Sequence, residues 1–437
     1  MNINRIIPIL FLLGISLSSN SQEMIGLDQL ITQTWADNPD IQVLKKNVAI
    51  ADLQANKANA GLVPQISFNG AVTYQNASTE LKFASDAFPN IDYKGAYSWI
   101  YNTTLQGTYT LFDGFRGKYT LEILQNQVDL AGLQTLLQSE GILIQLVNGY
   151  TNLISLNEQR NTVIQSIQTS LERLQRTQYL ADYGQVNLVD VLDARVAVNQ
   201  DSALLYQLEN QIQVLYRRLN RLAGWAPDRT WVPRDSIEVN ENLDMESLWE
   251  KAQVQNIDYQ LARQQLVTSV AGIERARSAF YPLVNASVSY GYSKQSNEVG
   301  FLLAQRALGT AATITLQYPI FDGRLRKQQL EVAQVQQEQS RMNQEVVLKN
   351  LESDLYIAFD NYNQALDLWR LQRNNLEAAL LNLEQNQEAL NRGQINSLQF
   401  RTAQLNWQMA SEQVILAKNQ AKITELELMR LTGELVK

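Results

Sequence analysis

The chain contains one sequence pattern twice, and this duplication decides how the rest of the sequence can fold. Motifs of the first half return in the same order in the second half. The pairs are Asn38-Pro39-Asp40 with Asn256-Ile257-Asp258, Gly61-Leu62-Val63-Pro64 with Ala279-Phe280-Tyr281-Pro282, Leu111-Phe112-Asp113-Gly114 with Ile320-Phe321-Asp322-Gly323, Tyr183-Gly184-Gln185-Val186-Asn187 with Arg392-Gly393-Gln394-Ile395-Asn396, and Leu222-Ala223-Gly224 with Leu431-Thr432-Gly433. The register between the halves changes once, between Pro64 and Phe112, where the first half is longer. The sequence therefore predicts two structural repeats, 22–224 and 243–437, joined by a Pro- and Trp-containing linker at 225–242.

Each repeat predicts the same order of elements: a helix, a β-hairpin, a long helix, a tight turn and a shorter helix. The hairpins are predicted at 64–112 and 282–321, and the turns at 183–187 and 391–396. In the first repeat the helices are predicted over 27–62, 115–182 and 188–222. At 1.5 Å per residue the long helix spans roughly 100 Å, which is typical of a stalk or of the wall of a tube.

The helices carry coiled-coil spacing on an unusually uncharged background. Apolar residues recur at intervals of three and four, while Gln and Asn occupy much of the remaining surface, so we expect a hydrated exterior. The apolar series are Val163, Ile167, Leu171 and Leu174 in the long helix, and Leu204, Leu208, Ile212, Leu215, Leu219 and Leu222 in the next helix.

Residues 1–21 predict a secretory signal peptide. Arg5 precedes a short apolar core from Ile6 to Leu17, and the small residues Ser19 and Ser21 suit cleavage before Gln22. The core is too short to span a membrane as a helix. We therefore expect an exported protein without a lipid anchor, because the chain has no Cys to carry one.

Composition excludes several classes of function. The chain has no Cys and no His, which removes thiolate and imidazole chemistry and the usual zinc sites. We therefore expect no catalytic residue, no cofactor and no metal. The net charge of −8 and the lack of a Lys/Arg run argue against nucleic acid as a partner. No run of about 18 apolar residues follows the signal peptide, so a membrane could be crossed only by strands.

Four segments alternate between apolar and polar residues, which is typical of β-strands. Each alternating segment is about ten residues long, enough to cross a bilayer at a tilt, and its polar face is almost uncharged. The apolar series are Ile66, Phe68, Val72 and Tyr74; Trp99, Tyr101, Leu105, Tyr109 and Leu111; Val284, Ala286, Val288, Tyr290 and Tyr292; and Ile314, Leu316, Tyr318 and Ile320. Half-buried sheets of soluble proteins also alternate, but the aromatic-rich face favours lipid.

Four strands cannot close a barrel, and an open sheet edge is not tolerated in lipid because its backbone groups would lack hydrogen-bond partners. About eight strands are the practical minimum. The chain is therefore expected to oligomerise, with eight strands in a dimer or twelve in a trimer.

The whole mature chain resembles the TolC-like outer membrane efflux family. The residues that carry the resemblance are the duplicated strand–helix junctions Tyr109-Thr110-Leu111-Phe112-Asp113-Gly114 and Tyr318-Pro319-Ile320-Phe321-Asp322-Gly323, together with Pro64, Pro282 and the turns at Gly184 and Gly393. Family members usually have a second Gly after Phe-Asp-Gly, whereas this chain has Phe115 and Arg324.

The resemblance implies a mixed α and β membrane protein that works as a homotrimer. A 12-stranded transmembrane β-barrel, with four strands from each protomer, would sit in outer-membrane lipid of a Gram-negative bacterium. A periplasmic 12-helix α-barrel of coiled-coil type would continue it and dock on a periplasmic adaptor (membrane fusion) protein served by an inner-membrane pump. The implied function is a passive duct for small toxic compounds, or for secreted proteins in a type I system. The linker would lie in an equatorial belt.

The junctions and turns have local physical interpretations as well. Asp113 and Asp322, each between a Phe and a Gly (Phe112 and Gly114, Phe321 and Gly323), are predicted helix N-caps. Gly184 and Gly393 are predicted left-handed C-caps. The turn residues Tyr183, Gly184, Gln185, Val186, Arg392, Gly393, Gln394 and Ile395 resemble the family's adaptor-docking tips.

Asp190 and Asp193 lie three residues apart at the start of the helix after the first turn, so they share one face. Acidic residues in a first turn are ordinarily favoured by the helix dipole. The alternative is a pore constriction, in which three copies would place six carboxylates in a cation-selective ring. The spacing resembles the acidic constriction of the family, but the best-known members carry the pair after the second turn, where this chain has Gln399 and Thr402.

Two rival functions are a periplasmic stalk, which leaves the amphipathic strands unexplained, and an exported hydrolase with paired carboxylates. No pocket motif supports the hydrolase. Cargo, adaptor, pump and resting state of the pore are not encoded in recognisable motifs.

Overall fold

The computed structural model describes residues 23–82, 84, 90–300 and 302–435. The predicted signal peptide lies outside the described residues. In chain order the elements are β1 Glu23–Ile25, α1 Leu27–Asp37, α2 Pro39–Gln54, β2 Gln65–Leu81, β3 Ile91–Phe112, α3 Arg116–Asp182, α4 Leu188–Leu222, β4 Trp231–Pro233, α5 Met245–Gln255, α6 Ile257–Ser278, β5 Leu283–Asn297, β6 Ala304–Gln317, α7 Leu325–Asn391 and α8 Ser397–Leu431.

The long and short helices recur with identical lengths. Helices α3 and α7 have 67 residues each, and helices α4 and α8 have 35 residues each. The predicted bounds of the first long helix agree with α3 to within one residue, and those of the shorter helix agree with α4. Glycine and asparagine end and start these helices, which is why their bounds can be predicted from sequence.

The prediction of one helix over 27–62 is wrong, because the chain breaks at Asn38. Asn38 has an extended backbone with ψ of 121°, as expected for a residue that precedes a proline. Pro39 then begins α2, which ends at Gln54. Beyond it the side chain of Asn56 accepts hydrogen bonds from the amides of Ala58 and Asn59, so a local turn replaces the last predicted helical turns.

The second half breaks at the equivalent place without a proline. Asn256 is also extended, with ψ of 126°, and its side chain accepts a hydrogen bond from the Tyr259 amide at 2.9 Å, which caps α6. Its amide group donates to the carbonyl of Leu431 at 3.0 Å, and Asn38 donates to Leu222 at 2.8 Å in the same way. The first and last motifs of each half are therefore in contact.

Strands β2, β3, β5 and β6 form one antiparallel sheet in that order. Their register places the predicted apolar positions of the four strands on one face, since Phe68 pairs with Leu105 and Leu105 pairs with Tyr290. Most side chains on this face are exposed in the single chain, whereas Val284 and Ala286 are half-buried.

The strands differ from the predicted segments in length. They have 17, 22, 15 and 14 residues rather than about ten. Pairing between β2 and β3 continues to Leu81 opposite Ile91, past the end of the apolar alternation, because backbone hydrogen bonds do not require apolar side chains. Strand β6 ends at Gln317, so Tyr318 and Ile320 lie beyond it. Pro319 has no N–H to continue the ladder.

The described residues form two compact units, and each unit takes segments from both halves of the sequence. One unit comprises residues 23–39, 142–241 and 362–425, and the other comprises residues 40–141, 242–361 and 426–435, which include the sheet. The core of the first unit centres on Trp231, which stacks on Tyr150 at 6.1 Å and meets Tyr216 and Trp225 edge-on. In that unit β1 pairs with β4 in parallel.

Candidate functional site

The turn between α3 and α4 ends the first helical hairpin. Gly184 has φ of +70°, and the amide of Gln185 donates to the carbonyl of Leu180 at 2.9 Å. This is the left-handed cap predicted from sequence, and it is confirmed. A Cβ on Gly184 would have no neighbour within 4 Å, so only the backbone angle disfavours a side chain there.

The turn between α7 and α8 has the same geometry. Gly393 has φ of +72°, which confirms its prediction, and the amide of Gln394 donates to the carbonyl of Ala389 at 2.8 Å. The residues at both turns, Tyr183, Gly184, Gln185, Arg392, Gly393 and Gln394, are exposed, whereas Val186 and Ile395 are half-buried.

An arginine of α3 holds the end of α7 within the first unit. Arg176 on α3 donates to the side chain of Asn391 at 2.6 Å and to the carbonyl of Leu390 at 3.0 Å, at the end of α7. Cations are favoured at helix C-termini, where carbonyls lack partners. The structure therefore ties the start of the second turn to α3, eight residues before Gly184 of the first turn.

Asp190 serves as the third residue of a capping box at the start of α4. Its carboxylate accepts from the Asn187 amide at 3.1 Å, and the Asn187 side chain accepts from the Asp190 amide at 3.0 Å. The second turn builds the same box with a neutral side chain, since Gln399 accepts from the Asn396 amide at 3.0 Å. The cap therefore needs an acceptor at this position but no charge.

Asp193 is exposed one turn further along α4. Its charge acts on Arg173, a buried residue of α3. Burial lowers the pKa of Arg173, as does the neighbouring Arg401, while Asp201 and Asp193 oppose that effect. Asp190 and Asp193 do share the predicted helix face. No group of three or more acidic residues with metal-ligand geometry occurs among the described residues.

A buried polar cluster near the turns was missed by the sequence analysis. Asp201 on α4 and Arg401 on α8 are 3% and 7% exposed and form a bidentate ion pair at 2.8 and 2.9 Å. Ser170 on α3 donates to Asp201 at 2.7 Å, and Gln404 donates to Ser166 at 3.0 Å. Part of the polar surface that was expected to be hydrated is therefore buried between helices.

The sequence feature that indicates this cluster is an acidic residue at a position of α4 where the helical spacing calls for an apolar one. The buried residues of α4 are Val191, Ala194, Ala197, Asp201, Leu208, Ile212, Leu219 and Asn220. Asp201 follows Ala197 by four residues and precedes Leu208 by seven, so it lies on the buried face. An acidic residue in that series needs a partner, but the series does not say which residue supplies it.

The strand–helix junctions are capped as predicted. Asp113 accepts from the Gly117 amide at 2.7 Å. Asp322 accepts from the Arg326 amide at 3.2 Å and from the Arg326 guanidinium at 2.7 Å. The Arg326 side chain holds the pKa of Asp322 below its usual range. The predicted capping by both carboxylates is confirmed, but each Asp lies two residues before the N-cap position, which Phe115 and Arg324 occupy.

The residues after Gly114 and Gly323 are left-handed too. Phe115 has φ of +66° and Arg324 has φ of +73°, and they are the non-glycine residues with positive φ among the described residues. Bulky residues rarely adopt this conformation, so the departure from the Gly-Gly pattern stores local backbone strain. The ring of Phe115 packs edge-on against Phe112 at 5.7 Å.

Within the described residues, no helix is both long enough and apolar enough to cross a membrane.

Comparison with known proteins identifies relatives across almost the whole chain. The family model described as "Outer membrane efflux protein" matches residues 30–225 and 248–434. Outer membrane protein TolC of Salmonella enteritidis is 22% identical over 300 residues, which cover 68% of this chain. The chain spans 58% of the length of that relative.

Solved structures share the fold. A membrane protein from Pseudomonas aeruginosa matches with a TM-score of 0.75 at 18% identity, over 95% of this chain and 92% of that one. The outer membrane protein VceC from Vibrio cholerae matches with a TM-score of 0.71 at 18% identity, over 93% of this chain and 96% of that one. The mixed α and β architecture with mostly helical content is therefore common to these proteins.

Proposed function

The chain belongs to the outer membrane efflux protein family, whose relatives are outer-membrane channels, and on that premise we propose that it is a passive export duct and not an enzyme. It is a protein of the outer membrane of a Gram-negative bacterium and extends into the periplasm. Three copies would close a 12-stranded barrel in the membrane and a 12-helix barrel below it.

The open four-stranded sheet is the observation that carries this proposal. Strands β2 and β6 each have one neighbour, so both edges of the sheet expose unpaired backbone groups. One face exposes large apolar side chains, among them Ile66, Phe68 and Ile314 at 77%, 72% and 73%. Such a sheet is stable in lipid only if further copies close its edges. A stalk would leave this face unexplained.

Two helices of the unit that contains the sheet support closure by further copies. Helix α2 exposes Val43, Ile50 and Leu53, and helix α7 exposes an apolar stripe at helical spacing. The stripe residues are Val332, Val335, Met342 and Val346. Exposed stripes of this kind favour packing against another helix. In the proposed trimer, α2 and β2 of one copy would meet α7 and β6 of the next.

The sequence repeats 22–224 and 243–437 would each supply half of a protomer's strands and helices. The linker 225–242 would form the belt around the helical barrel. The pairing of β4 with the N-terminal strand β1 supports a belt that holds the chain start. Cargo would be small toxic compounds, or secreted proteins, delivered by an inner-membrane pump through a periplasmic adaptor.

The first test is the native mass of the detergent-extracted protein, followed by conductance in a planar bilayer. A trimer that forms discrete, long-lived channels is expected. A folded monomer, or a trimer that never conducts, would exclude the duct and leave the stalk.

Asp190 and Asp193 form the proposed constriction. The capping boxes supply a conservative test, because the chain itself uses Gln399 and Thr402 at the equivalent positions of α8. Asp190→Gln with Asp193→Thr should keep the helix start and reduce the cation preference of the channel. Glu209→Gln, an exposed change on the same helix, is the matched control. Unchanged ion selectivity in the double variant would refute the ring.

The two turns form the proposed adaptor-docking surface, supported by their exposure and by their matched left-handed geometry. Gly184→Trp with Gly393→Trp should abolish export in cells. Gly184→Ala with Gly393→Ala imposes the same backbone penalty without bulk, so it separates blocked docking from a damaged turn. Export that survives the tryptophan pair, with normal amounts of channel, would contradict the docking role.

A further inference from the structure

A cleft of the first unit is lined by three arginines. It has a volume of about 550 Å³ and lies between α3, α4 and the linker residues 227–232. Arg160 comes from α3, Arg217 from α4 and Arg229 from the linker. The protein as a whole carries a net charge of −8, so this concentration of positive charge runs against its overall balance.

Arg160 lines the cleft and has a donor without a partner. Its Nε atom is buried and has no hydrogen-bond partner among the described residues. A buried guanidinium donor without a partner is costly, because its lost hydration is not replaced. Burial raises the pKa of the Tyr216 phenol, and the positive charge of the nearby Arg160 opposes that rise.

The other two arginines differ in how far they are already neutralised. Arg229 is paired with Glu23 at 2.7 Å and lies over the Trp225 ring at 3.8 Å, which fixes its position. Arg217 is exposed and forms no ion pair with another part of the described chain. Asp228 is the acidic residue of the lining, so the cleft keeps an excess of positive charge.

We propose that this cleft binds a small dissolved anion that carries two or more carboxylate or phosphate groups. Arginine guanidinium groups bind both kinds of group through paired hydrogen bonds, and the volume suits a metabolite-sized ligand. The anion meets the guanidinium groups of Arg160 and Arg217 and ties α3 and α4 to the linker. This inference is independent of whether the chain forms a duct.

The test is isothermal titration calorimetry, in which citrate or pyrophosphate is titrated into the intact, purified protein in an uncharged detergent. Acetate at equal ionic strength serves as the monovalent comparison. We expect saturable binding of at least one polyvalent anion, together with a rise in melting temperature, because a ligand that binds only the folded state stabilises it. Acetate should do neither.

Arg160→Gln should weaken binding by about tenfold or more, the usual effect of losing a hydrogen bond to a charged group. Arg218→Gln removes the same charge from the residue next to Arg217, outside the cleft, and should change affinity by less than about twofold. Arg160→Lys keeps the charge but loses the planar guanidinium that donates paired hydrogen bonds, and it should also bind weakly.

Arg217→Gln covers the case in which Arg160→Gln does not fold, because the Arg217 side chain is exposed and its loss leaves no buried gap. Weaker binding in this variant alone would still place the anion in the cleft. The proposal is overturned if neither polyvalent anion binds saturably to the folded protein. It is equally overturned if Arg218→Gln weakens binding as much as the cleft variants, which would indicate diffuse attraction.

Discussion

Neutralising Asp201 should destabilise the helical unit near the turns more than any exposed charge change on the same helix. Asp201 is 3% exposed, and both of its oxygens bind the guanidinium of Arg401. In Asp201→Asn, Arg401 stays buried without a counter-charge and close to the second buried arginine, Arg173. Removing one partner of a buried pair typically costs about 3–5 kcal/mol.

This free energy corresponds to a measurable shift in melting temperature. At about 2.1 cal/mol/K per residue, roughly 400 residues unfold with an entropy of about 0.85 kcal/mol/K, so the expected fall is about 4–6 °C. Thermal scans of the trimer in detergent, followed by tryptophan fluorescence at one fixed scan rate, would measure it. A fixed rate matters because such proteins often unfold irreversibly.

Two further variants separate the ion pair from general damage. Glu209→Gln neutralises an exposed acid on the same helix and should shift the melting temperature by less than about 1 °C. Asp201→Leu combined with Arg401→Met removes both charges and should recover more than half of the loss, because no charge is left buried alone. The reasoning is refuted if Asp201→Asn behaves like Glu209→Gln, or if the double variant is as unstable as the two single losses combined.

Three other changes test local features by the same melting assay. Arg324→Gly should stabilise the folded protein by about 0.5–1 kcal/mol, because relief of left-handed strain exceeds the entropy cost of glycine. The control Lys327→Gly, inside α7, should destabilise it by about 1 kcal/mol. Equal effects of the two changes would show that Arg324 is unstrained. Gly224→Ala should cost at least about 1 kcal/mol more than Gly184→Ala, since both have positive φ but only the Gly224 Cβ would meet a backbone carbonyl, at 2.7 Å. Burial raises the pKa of Glu140 from 4.5 to about 7, so between these pH values the folded state keeps a proton that the unfolded state has released, and the free energy of unfolding falls by about 3 kcal/mol as pH rises. Glu140→Gln should therefore be as stable as wild type near pH 4.5 and more stable at pH 8. A stability difference that does not change with pH would contradict this.

Features that depend on a few consecutive residues could be predicted from the sequence. The left-handed caps at Gly184 and Gly393 and the capping carboxylates of Asp113 and Asp322 depend on local backbone and side-chain chemistry, and the structure has them all. The common apolar face of the strands follows from period-two alternation. Strand length could not be predicted in the same way, because pairing beyond Tyr74 depends on the partner strand.

Features that depend on how helices are rotated against one another were missed. The break at Asn38 is partly local, since Pro39 follows it, but Asn256 breaks without a proline and is held by the Leu431 carbonyl. The pairing of Asp201 with Arg401 joins residues 200 positions apart on different helices. Neither sequence neighbourhood contains the other partner, so the periodicity of one helix identifies a buried acid without identifying its counter-charge.

The buried polar cluster also shows how the contact between α3, α4 and α8 can hold one arrangement. The contact between α3, α4 and α8 includes Ser166, Ser170 and Gln404, each with no exposed surface. Leucine-rich faces slide at small cost because any apolar neighbour serves, whereas these groups lose their partners if α8 moves by one turn. Each lost partner leaves a buried donor or acceptor unsatisfied, at a cost of about 1–3 kcal/mol. The cluster therefore fixes the register of α8, the helix that follows the second turn, against α3 and α4.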